Sequence, residues 1–257
     1  MLHFATRGSG SRPVLLVHGF LGSGKNLGAL ARTWSGRRPD LRFVLPDLLG
    51  HGRSPPLPAT ARLADMADAL VALLDELGLD DPVDIIGHSL GGRLALQTRL
   101  RHPNRLGRIA LLDIRPGPVE RSDTEQVVSV LAAAPARTDT REAMRAHLRE
   151  AGLSRALVDW LLMSGDAGPD GFTWRVDRAS LERFHAAHRA VDLWPAVASA
   201  DDTLLVRGAR SDYVDAADVA GFEQRGVPVV TVPEAGHFLH VERTEAVVDA
   251  LDRFFAP

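Results

Sequence analysis

Residues 83–100 constrain the fold of this chain more than any other segment. Val83, Ile85 and Ile86 at their start predict a short apolar strand, and their second half predicts a helix. Gly87 and Gly91 stand two residues before and two residues after Ser89, in the pattern G-x-S-x-G. A strand that turns so sharply into a helix needs neighbours without a Cβ. In this strand–turn–helix context the pattern indicates a nucleophile elbow, which presents the serine hydroxyl at a helix N-terminus.

Composition excludes several other classes of protein. The chain has 257 residues, enough for one large domain or for a core with a modest insertion, and its formal net charge of -3 gives no reason to expect nucleic acid as a partner. It has no cysteine, which excludes disulfides, a thiolate nucleophile and a cysteine zinc site, and which fits a cytoplasmic location. No apolar run is long enough to span a membrane and the N-terminus does not resemble a signal peptide, so we expect no membrane association.

Strand and helix patterns alternate through most of the chain. Continuous apolar runs predict strands that are buried on both faces, as in a parallel sheet. Residues 14–17 form such a run, further buried strands are predicted at residues 42–45, 83–86, 108–114, 203–206 and 228–232, and an edge strand is predicted at residues 2–6. Helical patterns separate them. The predicted fold class is therefore α/β, with a mostly parallel central sheet and helices on both faces.

The alternation stops after residue 114. Residues 115–197 contain helical patterns and no convincing pair of strands. The predicted helices are 124–131, 140–151, 154–163 and 180–188. We interpret residues 115–197 as a helical cap, or lid, inserted into a core that comprises residues 1–114 and 198–257. Such an insertion lies at the carboxyl ends of the strands, where open α/β sheets bind their ligands.

Two further side chains follow later strands, in positions suited to activating Ser89. A serine hydroxyl needs a base within hydrogen-bond reach, and the base needs a carboxylate to orient it. His237 follows the strand at residues 228–232, and Asp212 follows the strand before it. The order Ser89, Asp212, His237 is the order of a serine nucleophile, its acid and its base in α/β-type hydrolases. We therefore predict Ser89 as nucleophile, His237 as base and Asp212 as the orienting acid.

A tetrahedral intermediate also requires donors for its negative oxygen. The backbone N–H of Leu90, the residue after the nucleophile, is the first predicted donor. The second is the N–H of Phe20, in the loop after the first buried strand. His18 lies in the same loop, and we expect it to pack and hydrogen-bond there without a catalytic role.

A different class of function is suggested by residues 19–25, which match G-x-x-x-x-G-K after a buried strand. That pattern is typical of a P-loop, in which backbone N–H groups bind phosphates. Asn26 stands where a Ser or Thr hydroxyl would bind Mg²⁺, and the P-loop interpretation leaves Ser89 and His237 without a role. A metal site is also unsupported, because His185 and His188 on a predicted helix have no carboxylate at a suitable spacing. We expect neither a cofactor nor a metal.

Four segments together resemble the α/β-hydrolase superfamily along nearly the whole chain: His18-Gly19-Phe20, residues 47–54, residues 87–92 and Gly236-His237. Residues 18–23 with Asn26, and residues 112–116, look like the small bacterial esterases related to ABHD11-type hydrolases. The resemblance implies a cofactor-free carboxylesterase-type hydrolase that acts on small-molecule esters of short-to-medium acyl chains, or on thioesters, beneath a mobile cap. Carbon–carbon bond hydrolases and lyases share the serine elbow, and a binding protein without turnover is a third interpretation. Some members of the subgroup take the acid from the end of the earlier strand, which makes Asp113 the second candidate.

Overall fold

The computed structural model describes residues 1–119, 123–197 and 202–256. The strands are β1 (Phe4–Arg7), β2 (Arg12–Val17), β3 (Leu41–Pro46), β4 (Val83–His88), β5 (Leu106–Leu112), β6 (Arg137–Thr138), β7 (Gly165–Gly168), β8 (Gly171–Trp174), β9 (Thr203–Gly208) and β10 (Val229–Val232). The helices are α1 (Gly28–Arg37), α2 (Leu63–Glu76), α3 (Leu90–Arg101), α4 (Asp123–Ala133), α5 (Arg141–Glu150), α6 (Arg155–Leu161), α7 (Arg178–Arg189), α8 (Ala216–Gln224), α9 (Leu239–Glu242) and α10 (Thr244–Phe254). Short 3₁₀ turns occupy Gly24–Leu27, Leu162–Ser164 and Trp194–Ala196. In the described ranges, none of the helices has the length and the apolar character needed to cross a bilayer.

Seven strands form the central sheet, in the order β1-β3-β2-β4-β5-β9-β10. All neighbouring strands are parallel except β1, which pairs with β3 in the antiparallel sense at one edge. The predicted α/β class with a mostly parallel sheet is confirmed. The parallel arrangement brings the carboxyl ends of β2, β4, β5, β9 and β10 to one edge of the sheet, where the candidate site lies.

Both faces of the sheet are buried, which explains the continuous apolar runs. In β2, Leu15 and Val17 belong to one buried cluster, whereas Val14 and Leu16 belong to the other. The first cluster also contains apolar side chains of α2 and α3, and the second contains those of α1 and α10. Because side chains alternate along a strand, a strand between two helical layers has no polar face.

The segment between β5 and β9 contains α4 to α7 and a second sheet of three antiparallel strands, in the order β6-β8-β7. The four helices were predicted, whereas the expectation that no strands pair in this segment is wrong. The missed strands span only two to four residues each and include three glycines, so they carry little of the alternation that marks a strand. Residues 120–122 of the predicted cap and residue 198 at its predicted boundary lie outside the described residues. The division into core and cap therefore remains a prediction.

Candidate active site

Ser89 occupies a tight turn between β4 and α3, with a backbone φ of 51°. A Cβ on Gly91 would lie 2.2 Å from the carbonyl oxygen of Val17, and a Cβ on Gly87 would lie 2.3 Å from the carbonyl oxygen of Gly91. Both obstacles are backbone atoms, which cannot rotate away. The predicted need for glycine on each side of Ser89 is confirmed, and the turn leaves the half-buried Ser89 side chain at the N-terminus of α3.

The ring of His237 is paired with a buried carboxylate. Its Nδ1 lies 2.7 Å from Oδ2 of Asp113, whose side chain is fully buried just after β5. A carboxylate only accepts hydrogen bonds, so Nδ1 carries the proton and Nε2 keeps its lone pair. Asp113 also has a left-handed backbone, with a φ of 50°, in a conformation that a residue with a Cβ adopts only at an energetic cost.

Asp113 receives two more hydrogen bonds, one from the last residue of β9 and one from the loop after it. The Gly208 amide donates to Oδ1 at 3.0 Å, and the Ser211 hydroxyl donates to Oδ2 at 2.5 Å. Three donors converge on this carboxylate and fix its orientation.

The predicted pairing of Asp212 with His237 is therefore wrong, and the second candidate, Asp113, occupies the place beside the ring. Asp212 is exposed, whereas its neighbour Ser211 is buried and points to Asp113. The end of β9 and the loop after it do support the histidine, but they do so through the amide of Gly208 and the hydroxyl of Ser211. Because the Asp212 side chain is exposed, its carboxylate does not take part in this buried hydrogen-bond network.

Ser89 and His237 share two neighbours. The ring of Tyr213 packs on His237, with 4.7 Å between centroids, and the Tyr213 hydroxyl contacts the Ser89 side chain. Burial raises the pKa of Tyr213, which therefore stays a neutral donor. On the other side, the ring of His88 lies 4.7 Å from that of His237. The nucleophile and the base predicted from sequence thus lie in one cluster.

His88 supports the loop that contains His237. Its Nε2 donates to the backbone carbonyl of His237 at 2.8 Å, and its ring lies 4.3 Å from that of His240. Burial lowers the pKa of His88 well below its ordinary value, with the neighbouring histidines adding to the effect. A neutral ring engaged in this way supports the loop that contains His237 and is a poor base for Ser89.

The two amides predicted as oxyanion donors lie beside the nucleophile. Leu90 is the first residue of α3, and Gly19, which precedes Phe20, is so close that a Cβ there would lie 3.3 Å from Cβ of Ser89. Among the described residues, neither the Phe20 amide nor the Leu90 amide has a hydrogen-bond acceptor. Free N–H groups at a helix N-terminus are suited to a developing negative charge.

The loop after β2 uses its polar groups internally. Nδ1 of His18 donates to the Gly19 carbonyl at 2.7 Å, and Nε2 accepts from the Leu48 amide at 3.0 Å. The Gly24 amide donates to Oδ1 of Asp47 at 2.8 Å. The structural role expected for His18 is confirmed. A P-loop needs such amides free for phosphate, so this geometry does not support the nucleotide-binding alternative.

The segment between β5 and β9 contacts the loops of the site at two places. Trp160 packs on Phe238, next to the base, with 5.8 Å between ring centroids. The ring of His185 in α7 lies 4.9 Å from the ring of Phe20, and the Ser164 hydroxyl donates to the Leu21 carbonyl at 3.2 Å.

Sequence reasoning missed Ser211 and Tyr213, although both adjoin Asp212, because a one-residue shift along a loop moves a side chain from solvent into the core.

Comparison with known proteins agrees with this architecture. Residues 14–250 match the model of the alpha/beta hydrolase family. Esterase YbfF of Escherichia coli is 31% identical, over 94% of this chain and 92% of that protein, and lipase LipV of Mycobacterium tuberculosis is also 31% identical, over 84% and 82%. The mouse sn-1-specific diacylglycerol lipase ABHD11 is 27% identical, over 95% of this chain and 80% of that protein. The solved structure of a marine microorganism esterase superposes with a TM-score of 0.85, at 24% identity over 99% of both chains. This chain belongs to the alpha/beta hydrolase family.

Proposed function

We propose that this protein is a serine carboxylesterase in which Ser89 forms an acyl-enzyme, His237 acts as base and acid, and Asp113 orients His237. The observation that carries the proposal is the buried Asp113–His237 pair beside a serine at a glycine-flanked elbow. The coarser assignment, an esterase-type hydrolase, also has the support of relatives that are named esterase or lipase.

Acylation begins when Nε2 of His237 takes the proton of the Ser89 hydroxyl. The serine oxygen then bonds to the carbonyl carbon of the ester, and the amides of Phe20 and Leu90 stabilise the oxyanion. The bond from that carbon to the alcohol oxygen breaks, and the alcohol leaves with the proton from Nε2. Asp113 remains ionised throughout and stabilises the imidazolium that forms between the two transfers.

Deacylation repeats these steps with water. His237 takes a proton from water, whose oxygen attacks the acyl carbon of the acyl-enzyme. The bond to the Ser89 oxygen breaks, and that oxygen recovers the proton from Nε2. The products are a carboxylic acid, an alcohol and free enzyme, with no cofactor in the reaction.

The proposed substrates are small esters with a short-to-medium acyl chain, and residues 115–197 act as the lid over them. Two contacts support this role for the lid, those of Trp160 with Phe238 and of His185 with Phe20. Trp160 and His185 belong to the proposed lid, and they pack against the loops that contain His237 and the Phe20 amide. Thioesters remain the second substrate class, since the same steps cleave a carbon–sulfur bond.

The test combines labelling with turnover. A fluorophosphonate should label wild type on Ser89, and wild type should hydrolyse p-nitrophenyl esters in a series of increasing acyl length run beside acyl-CoA thioesters. Ser89→Ala should lose the label and at least about 10³-fold in kcat, because it removes the nucleophile. Ser129→Ala, at an exposed serine of α4, is the matched control and should keep both.

Absence of labelling and of turnover in wild type would overturn the proposal. A label that persists in Ser89→Ala would move the nucleophile elsewhere. Faster turnover of acyl-CoA than of every ester would reassign the protein to the thioesterases, with the same catalytic residues.

A further inference from the structure

Three histidines form a buried cluster beside the Phe20 ring, and catalysis as described uses none of them. His51 follows β3, whereas His185 and His188 lie on α7. Their ring centroids lie 5.7, 4.9 and 6.2 Å from that of Phe20, and their exposed fractions are 1, 4 and 4%. We call His51, His185 and His188 the histidine cluster.

The proton of His51 can be assigned from its partner. Nδ1 lies 2.8 Å from the Leu49 carbonyl oxygen, which only accepts, so Nδ1 carries the hydrogen. Nε2 therefore presents a lone pair. It is buried and has no hydrogen-bond partner among the described residues. A molecule that satisfies it must supply a donor.

His188 has both ring nitrogens buried and without a partner in the described part of the chain. Its ring lies between Phe20 and Phe184, at 6.2 and 5.2 Å between centroids. A neutral imidazole has one donor and one acceptor, so His188 requires both from its surroundings. Unpartnered polar atoms in a dry environment are costly, so each one calls for a physical explanation, and a bound polar group is one of them.

Neither a metal ion nor a carboxylate group fits the histidine cluster. Within the described residues, no three metal-ligating side chains are grouped closely enough to hold an ion. A carboxylate would face the lone pair of His51, and burial lowers the pKa of His51 to about 3, so the ring stays neutral and cannot donate there at neutral pH. A hydroxyl supplies one donor and one acceptor, which matches the two rings.

The position of the cluster assigns it to one side of the substrate. The alcohol oxygen must lie beside His237, which protonates it, and the aromatic neighbours of His237 are His88, Tyr213 and Phe238. The histidine cluster instead surrounds Phe20, whose amide is the proposed oxyanion donor. In the proposed complex, an acyl chain that leaves the carbonyl carbon opposite the alcohol oxygen would take the direction of Phe20.

We infer that the histidine cluster is a specificity site for acyl groups that carry a hydroxyl, which donates to Nε2 of His51 and accepts from the N–H of His188. This inference rests on the proposed esterase function and names its substrate class. A site built to hydrogen-bond a substrate hydroxyl discriminates strongly against the analogue that lacks it, because its polar groups are then left unpaired.

The experiment compares matched esters on wild type. Ethyl 2-, 3- and 6-hydroxyhexanoate are run beside ethyl hexanoate, with acid release followed by chromatography. At least one hydroxyacyl ester should exceed ethyl hexanoate by about 10-fold or more in kcat/KM. 2-Hydroxyethyl hexanoate carries its hydroxyl on the alcohol and should show no such advantage.

Variants then test which residues read the hydroxyl. His188→Leu removes donor and acceptor and should bring the ratio of hydroxyacyl to plain ester close to one. His188→Gln keeps both functions and should retain part of the preference. His147→Leu, on α5 of the same inserted segment, should leave the ratio unchanged.

Hydrolysis of ethyl hexanoate without preference for any hydroxyacyl ester would overturn the inference while leaving the esterase function intact. A preference that survives His188→Leu, or one that appears only for 2-hydroxyethyl hexanoate, would also overturn it. Wild type that hydrolyses no ester and takes no fluorophosphonate label would overturn the proposed function and this inference with it. If the His188 variants fail to fold, His51→Leu, which removes the proposed acceptor, replaces them with the same expected loss of preference.

Discussion

The carboxylate of Asp113 accepts hydrogen bonds from three residues, and each one limits where it can point. In Asp113→Asn, an amide NH₂ facing Nδ1 of His237 would favour the opposite tautomer, with the proton on Nε2. That tautomer cannot take the proton of Ser89. We expect kcat for a p-nitrophenyl ester to fall by about 10³- to 10⁴-fold near neutral pH, as assays of purified enzyme will measure.

Asp212→Asn is the matched control, because it makes the same change in a side chain that is exposed on a loop. We expect its kcat to stay within about twofold of wild type, since surface changes of this kind have small effects. Full activity in Asp113→Asn together with a large loss in Asp212→Asn would contradict the assignment made from the structure.

Sequence reasoning placed Ser89, His237 and both candidate acids at the ends of strands, because each follows a buried strand whose apolar pattern is clear. It preferred Asp212 to Asp113, whereas the structure places Asp113 beside His237. The strands before Asp113 and Asp212 are neighbours in the sheet, so both residues lie at the same edge, and only burial separates them. Burial of a loop side chain depends on packing between distant segments, which local patterns do not contain.

Helix α3 joins the elbow to the inserted segment through one side chain. Arg93 is fully buried, and its guanidinium donates to the backbone carbonyls of five residues at 2.6 to 3.3 Å. Three acceptors lie where the chain enters the insertion and two lie where it leaves, namely Arg115, Pro116 and Gly117, then His188 and Val191. Arg93 therefore holds both connections of the insertion at the base of the proposed lid.

Arg93→Met should destabilise the protein. The substitution leaves five carbonyl oxygens to find other donors, and buried acceptors without partners are costly. We expect the free energy of unfolding, measured by urea denaturation, to fall by about 2 to 4 kcal/mol. Cleavage by protease should increase within residues 115–197 before it increases elsewhere.

Arg101→Met provides the comparison on the same helix. Arg101 is exposed and pairs with Asp68, so its loss should lower the free energy of unfolding much less than the loss of Arg93 does. Equal stability of the two variants would show that Arg93 does not anchor the insertion. Secondary structure was predicted least well in the segment between β5 and β9, since its three short strands contain too few apolar residues to show alternation.

Buried histidines are distributed through the whole molecule, and they make its stability depend on pH. Burial is the main cause that lowers the pKa of His18 and His185 to about 4, and that of His51 and His240 to about 3. In the unfolded chain these rings titrate near 6.5. Below that pH the unfolded chain binds protons that the folded protein excludes, so the free energy of unfolding falls as pH is lowered from 6.5 toward 4.

We expect each such histidine to contribute up to about 1.4 kcal/mol per pH unit in this window, and no further change below its folded pKa. Urea denaturation at intervals between about pH 7.5 and 3 measures the slope, and His240→Gln should make it shallower by about one such contribution. The carboxylates act at lower pH, because the pKa values of Asp40, Asp68, Asp177 and Asp215 lie below their ordinary 3.8. A free energy of unfolding that stays constant down to pH 4.5 and then drops would assign the acid sensitivity to carboxylates alone. It would mean that the buried rings, including those of the proposed specificity site, take up protons in the folded state.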